Sequence, residues 1–310
     1  MRIVFLGTPD FAVASLKRLL DAGKNIVAVV TAPDRPAGRG QKLKAPAVKV
    51  YAEKHQIPVL QPSKLKAADF LETLRSYHAD LQIVVAFRML PEVVWNMPRL
   101  GTVNLHGSLL PQYRGAAPIH HAVMQGETET GVSTFLLQHE IDTGHVLLQE
   151  RVPIGPDTTT GELHDVLMRV GARVLLQTVE SIEQGNIQAI PQDRLSTGPL
   201  KEAPKLNKEG TRIDWSKPLD QVYNFIHGLS PYPCAFTTLE GVPLKIYRVE
   251  KEAKSPMTVE PGTVLSDGKS YLKFATPQGF ILVKQAQLEG KKAMLIEDFL
   301  RGYRWKDKPF

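Results

Sequence analysis

Short apolar runs recur through the first part of the chain, unbroken at Ile3 to Leu6 and Ile26 to Val30 and interrupted only by Gln82 at Leu81 to Ala86. Each is too short for an ordinary helix and is bounded by turn-forming residues. Between them lie stretches with apolar residues at helical spacing, such as Leu16, Leu19 and Leu20. An unbroken apolar run suits a strand covered on both faces, and strands joined through helices pair in parallel. The same logic predicts helices over 46–56 and 66–77, a short strand over 58–60 and a further strand over 102–105. Two strands over 132–137 and 146–152 and a long helix over 161–184 complete this part. The expected class is therefore α/β, with a Rossmann-like first domain over residues 1–190.

A dinucleotide is not the ligand this pattern points to. The turn after the first strand, Gly7-Thr8-Pro9-Asp10, carries one glycine where a G-x-G-x-x-G loop needs three to bring its backbone against a pyrophosphate. NAD is excluded as a cofactor on that ground.

Between about Pro191 and Ile213 regularity drops, with prolines, glycines and scattered charges, and residues 191–206 are expected to be a linker. Beyond it, a helix over 219–228 precedes five short strand-like runs at 235–239, 244–249, 262–265, 271–275 and 280–286. A terminal helix is expected over 295–302. Short strands punctuated by turns suggest a small β-barrel over 207–310.

Composition narrows the setting. The chain has 310 residues, 43% of them hydrophobic, enough for two packed cores. No run approaches the 18 apolar residues of a membrane span, and the N-terminus has no apolar export segment. The single cysteine, Cys234, can form neither an internal disulfide nor a thiolate cluster, so a cytoplasmic protein is expected. No motif argues for a dimer, and a monomer is expected. Net charge is +6, from 38 basic and 32 acidic residues. Residues 206–310 hold 16 basic against 12 acidic side chains, leaving 22 against 20 in the first 205. A modest excess of this kind fits a solvated surface as well as a polyanion-facing one.

The candidate site begins at Asn104-Leu105-His106. Two residues apart on a strand, an amide and an imidazole project to one side and can act on the same carbonyl group. Gly107-Ser108-Leu109-Leu110-Pro111 then turns the strand into a loop expected to have free backbone N–H groups, at the strand end where open α/β sheets bind ligands. Asp142, in an Asp-Thr-Gly step, supplies an acid. Read from residue types alone, these can equally be satisfied structural groups. A metal site at His120-His121 or His139, Glu140, Asp142 and His145 matches no ligand spacing, and no metal is expected. Ser108 lies outside a Gly-x-Ser-x-Gly elbow, which disfavours a serine hydrolase.

Residues 104–118, Asn-Leu-His-Gly-Ser-Leu-Leu-Pro-Gln-Tyr-Arg-Gly-Ala-Ala-Pro, closely resemble the signature of the folate-dependent formyltransferases. That resemblance implies Asn104, His106 and Asp142 as the catalytic trio and 10-formyltetrahydrofolate as formyl donor. Asn104 would hold the formyl oxygen, and Asp142 would favour the imidazolium of His106 and order a water. The pterin would lie against Phe87 and Leu90, the backbone of Ser108, Leu109, Leu110 and Pro111, and the stretch containing Gln138 and Ile141. One departure is visible. The family has Ala-Tyr/Phe-Gly-x-x-Leu-Pro after its fourth strand, whereas Ala86-Phe87-Arg88-Met89-Leu90-Pro91 is a residue shorter and lacks the glycine.

The acceptor follows from the surroundings. Residues 31–40 resemble an insertion found in those formyltransferases whose acceptor is initiator methionyl-tRNA, with Arg39 matching the arginine that enters the acceptor stem. Arg35, Arg39, Lys42 and Lys44 fall in the basic stretch 34–44, which is expected to be a loop. The resemblance extends to Lys205-Leu206, Ile213-Asp214-Trp215-Ser216 and Gly290-Lys291-Lys292-Ala293-Met294. It implies an OB-like barrel over 207–310 that holds tRNA, with Lys245, Arg248, Lys291, Lys292, Arg301 and Arg304 as candidate phosphate contacts. Glycinamide-ribonucleotide or sugar-amine formyl transfer is the competing enzyme reading. A non-catalytic RNA-binding protein is the competing class.

Overall fold

The computed structural model describes residues 1–37, 42–195, 198–253 and 259–305. The chain divides into two compact units. The first comprises Met1–Gly115, Thr130–Val152 and His164–Glu202; the second comprises Ala116–Glu129, Pro153–Leu163 and Ala203–Phe310. The last changeover falls inside the stretch read as a linker. The two earlier excursions into the second unit left no mark in the sequence pattern.

The first unit is built on a seven-stranded sheet. From one edge to the other its strands are Val146–Pro153, Glu129–Leu136, Thr102–His106, Leu81–Val85, Arg2–Gly7, Asn25–Val30 and Val59–Leu60. The five from Thr102–His106 onward run parallel, and Glu129–Leu136 runs antiparallel to Thr102–His106. Ile3, Val4, Phe5 and Leu6 are all fully buried, as the unbroken apolar run requires. The helix Asp10–Asp21 turns Phe11, Ala12, Ser15, Leu16 and Leu19 inward. Gly7 opens the turn before it: a Cβ at that position would stand 2.6 Å from the Ala12 Cβ. One core cluster joins Val4, Leu6, Ala28, Val30 and Val84 to Phe70 and Leu74 of the helix Ala68–Ser76. Each such side chain contributes about 1.5–3 kcal/mol on burial.

The stretch 34–44, expected as a loop, instead contains a two-stranded antiparallel pair, Arg35–Ala37 with Lys42–Lys44. Its basic residues hide no periodic apolar face, so period-based reading could not detect it.

The second unit centres on an antiparallel sheet in the order Ala235–Leu239, Val242–Ala253, Gly279–Leu288, Leu272–Thr276, Val264–Ser266, with Met294–Leu295 paired to Gly279–Leu288. Among the described residues the two edge strands do not pair, so the curled sheet stays open along that seam. The register slips between Ile246 and Val249 along the long strand, which bends it. The helix Leu219–Leu229 lays Val222, Tyr223, Ile226 and Leu229 into a core with Ile246, Val249, Phe274 and Ile281.

Candidate active site

Asn104 and His106 are alternate residues of the strand Thr102–His106, so both project from one face of the sheet. Asn104 is half-buried, and its carboxamide makes no hydrogen bond among the described residues. His106 is 7% exposed. Its Nε2 lies 2.9 Å from the Tyr113 carbonyl oxygen. A carbonyl can only accept, so Nε2 carries a proton, and in the neutral ring Nδ1 keeps its lone pair. Nδ1 is the atom on the Asp142 side, 3.8 Å from Oδ2. That separation exceeds a hydrogen bond but is close enough for strong charge interaction if the ring is protonated. Phe135 meets the imidazole edge-on, with centroids 6.5 Å apart.

Asp142 is delivered by the turn between the strands Glu129–Leu136 and Val146–Pro153. Its φ is +54°, left-handed backbone that aspartate tolerates better than most residues. Oδ2 accepts the Gly115 N–H at 2.9 Å. The glycine of the Asp-Thr-Gly step has a steric cause, since a Cβ at Gly144 would stand 1.6 Å from the Leu136 carbonyl oxygen. The three residues singled out from the sequence thus come from one strand and a turn well beyond it in order, and the fold brings His106 and Asp142 together on the face that Asn104 shares.

The loop after His106 is more tightly satisfied than expected. Ser108 is fully buried and donates from Oγ to the Gln112 carbonyl at 2.6 Å. Ser133 Oγ donates to the Ser108 carbonyl at 2.6 Å and accepts the Leu110 N–H at 3.0 Å. Gln149 Nε2 donates to the Leu110 carbonyl at 2.9 Å and to Ser133 Oγ at 2.7 Å. The expectation of free backbone N–H groups is therefore corrected at Leu110: Ser133 takes that donor. Leu110 itself is 2% exposed and packs with Phe135 and Val146. Pro111 is buried, and Leu109 is half-buried with its side chain against the backbone of Gly131.

Phe87 packs half-buried against the cluster that contains Leu90. The shortened segment is anchored by Arg88, whose guanidinium donates to the carbonyls of Pro62 and, at 3.0 Å, Ser63, and lies 5.6 Å from the Phe87 ring centroid. Burial, then the nearby Arg35, lowers the Arg88 pKa. Gln138 and Ile141 are exposed, Ile141 by 58%. His139, their neighbour, reaches Glu92 at 3.4 Å and stands edge-on to Trp95. His120 and His121 each bond a backbone carbonyl, of Tyr232 and Pro204 respectively.

The basic residues fall into distinct groups. Arg35 and Lys44 are directly opposite in the strand pair and both are exposed. Lys42 lies in the same strand pair, opposite Ala37. Arg39 lies outside the described residues. In the second unit a cavity of about 860 Å³ is lined by Lys205, Lys208 and Lys245 together with Tyr232 and Phe236. Lys291, Lys292 and Arg304 are exposed. Arg248 and Arg301 are already engaged by Glu162 and Asp298, which makes them weaker candidates for phosphate than their positions in sequence suggested.

Residues that sequence reasoning missed are Ser133, Gln149, Arg114 and Gln192. Arg114 lies inside the 104–118 signature without being singled out there; Ser133, Gln149 and Gln192 sit in no motif, and Gln192 falls in the stretch read as linker.

Comparison with known proteins decides the family. The profile described as "Formyl transferase" matches residues 1–179, and "Formyl transferase, C-terminal domain" matches residues 205–304. The chain belongs to the formyl transferase family. This formyltransferase is 53% identical to the methionyl-tRNA formyltransferase of Bacteroides fragilis over 309 residues, covering 98% of the chain and 95% of that protein. It is 54% identical to the methionyl-tRNA formyltransferase of Phocaeicola vulgatus over 316 residues, covering 99% and 97%. Among solved structures, HypX from Aquifex aeolicus in complex with tetrahydrofolic acid has the same fold, with a TM-score of 0.66 at 20% identity. That alignment spans the whole of this formyltransferase and 49% of the HypX chain.

Proposed function

We propose that this formyltransferase moves the formyl group of 10-formyltetrahydrofolate to the α-amine of methionyl initiator tRNA, giving N-formylmethionyl-tRNA for translation initiation. The observation that carries the reading is the Nδ1 of His106 facing Asp142, on the strand face that also presents the Asn104 carboxamide, unbonded among the described residues. The relatives' name supplies the acceptor. The tetrahydrofolic acid bound by HypX supports the donor class.

The chemistry follows from these groups. As the amine nitrogen attacks the formyl carbon, negative charge grows on the formyl oxygen, and the Asn104 N–H group is the donor that stabilises it. The new N–C bond forms first, giving a tetrahedral intermediate, and the bond from carbon to folate N10 breaks as the oxyanion collapses to the carbonyl. The amine gives up a proton and N10 gains one. His106 Nδ1 handles that proton, with Asp142 close by to balance the charge on the ring. A free α-amine titrates at about 7.7–8.0, so no strong base is needed.

The cavity with Lys205, Lys208, Lys245 and Tyr232 and the exposed Arg35 and Lys44 support contact with a nucleic acid backbone, where cations and aromatic rings combine. Phe87, Ser108, Leu109, Leu110, Pro111, Gln138 and Ile141 remain the candidate folate contacts, together with Leu90. The protein acts as a cytoplasmic monomer in this reading. Incubation with 10-formyltetrahydrofolate and separately charged initiator and elongator methionyl-tRNA tests it. Formylation restricted to the initiator is expected. Formylation of neither sinks the assignment.

A further inference from the structure

Gln192 spends every hydrogen-bonding site of its side chain on the two loops that hold His106 and Asp142. It is 4% exposed. Its Nε2 donates to the carbonyls of Asp142 and Gly144, both at 2.8 Å. Its Oε1 accepts from Arg114 Nε at 3.0 Å and from Arg114 Nη2 at 2.6 Å. A carboxamide has two donors and two acceptor lone pairs, so the group is saturated. The partners are placed to matter. Arg114 lies between Tyr113, whose carbonyl fixes the His106 tautomer, and Gly115, whose N–H holds Asp142 Oδ2. On the other side, the two carbonyls bracket a turn whose first residue, Asp142, has φ +54°, a conformation that persists where surrounding bonds over-determine it.

We propose that Gln192 is the positioning residue of this site, a clamp that sets the Asp142 carboxylate opposite His106 Nδ1 by joining the Arg114 loop to the Asp142–Gly144 turn. The proposal rests on the reading of His106 and Asp142 as the catalytic pair. Gln192 touches neither substrate nor the reacting atoms. It acts on kcat through Asp142, and substrate affinity is left to other residues.

The test is a double-mutant cycle with purified full-length protein, 10-formyltetrahydrofolate and methionyl initiator tRNA. Gln192→Met keeps the volume and removes all four bonds. Gln192→Glu keeps the acceptor for Arg114 and sets an oxygen in place of the donor to the two turn carbonyls, and a thermal melt of each variant identifies one that merely misfolds. Both are expected to lower kcat by roughly 10- to 100-fold, the scale of a displacement of about 1 Å in a catalytic group, with KM for the folate unchanged. In an Asp142→Asn background the same substitutions are expected to change kcat by less than about threefold, because residues acting through one another are not additive. Unchanged kcat in both single variants overturns the proposal, as does an undiminished loss in the Asp142→Asn background. Loss of folate affinity in place of kcat also overturns it. Failure of the wild-type protein to formylate is a different result, and counts against the assigned reaction.

Discussion

The Nε2–H of His106 donates to the carbonyl oxygen of Tyr113 at 2.9 Å, and this one bond decides which ring nitrogen faces Asp142. With Nε2 committed to a backbone carbonyl, Nδ1 is the atom free to exchange a proton in the site. His106→Gln keeps a donor for Tyr113 and removes the base. We expect kcat to fall by roughly 10²- to 10⁴-fold, with the melting temperature little changed. Steady-state kinetics and a thermal melt check both halves, and an active His106→Gln enzyme would refute the proton-transfer role.

Asn104 offers the complementary case. Its carboxamide has no hydrogen bond to lose among the described residues, so Asn104→Ala should cost little stability while lowering kcat about 10²- to 10³-fold, as for other donors to a developing oxyanion. Folate and tRNA binding should survive, measured by fluorescence titration and filter retention. Retained activity would remove Asn104 from the mechanism.

Two glycines separate steric need from backbone preference. Gly144→Ala places a Cβ 1.6 Å from the Leu136 carbonyl oxygen, so the turn carrying Asp142 must move or the domain must open, a loss of several kcal/mol. Gly185, with φ +69° and nothing within 4 Å of an added Cβ, should tolerate alanine at a cost of about 1 kcal/mol. Urea unfolding of the two variants measures the contrast.

A pH dependence of stability arises away from the site. His227 is 1% exposed, and its pKa is pushed down to about 4 by burial, then by Arg248. Its Nε2 accepts the Val249 N–H at 3.4 Å, and its Nδ1 has no partner among the described residues. Unfolded, the ring titrates near 6.5. Between these values the unfolded state binds more protons, so stability falls as pH drops from about 6.5 to about 4, by up to about 3 kcal/mol. His227→Leu removes the orphan N–H and the titration together. Denaturant melts at pH 7 and pH 5 should differ less for that variant than for wild type.

The basic residues are separable by salt. Lys44→Ala and Lys245→Ala should each flatten the log–log salt dependence of tRNA binding by about one. Arg301→Ala should change it less, since Asp298 already engages that guanidinium. Equal slopes for all three would detach the charge assignment from tRNA.

Much of the fold was legible because burial writes a periodic pattern. The run Ile3 to Leu6 and the spacing of Leu16 and Leu19 predict the strand and helix found there, and Asn104 with His106 could be placed on one face by counting alone. The strand pair at Arg35–Ala37 and Lys42–Lys44 escaped because an exposed pair of three-residue strands buries nothing and so leaves no period. Ser133 and Gln149 escaped for another reason. Their roles are bonds to the backbone of residues 108–110, and such bonds select side chains by position in space.

By itself, the order of residues determined the alternation of strands and helices and the amide–imidazole pair, since each depends on neighbours along the chain. Only the tertiary structure decided that Nδ1 of His106 faces Asp142, that Ser133 occupies the Leu110 N–H, and that Gln192 bridges the two loops. Those are contacts between residues up to 78 positions apart. Hydrogen bonds act over about 3 Å, and no local spacing encodes which distant groups the sheet will bring within that reach.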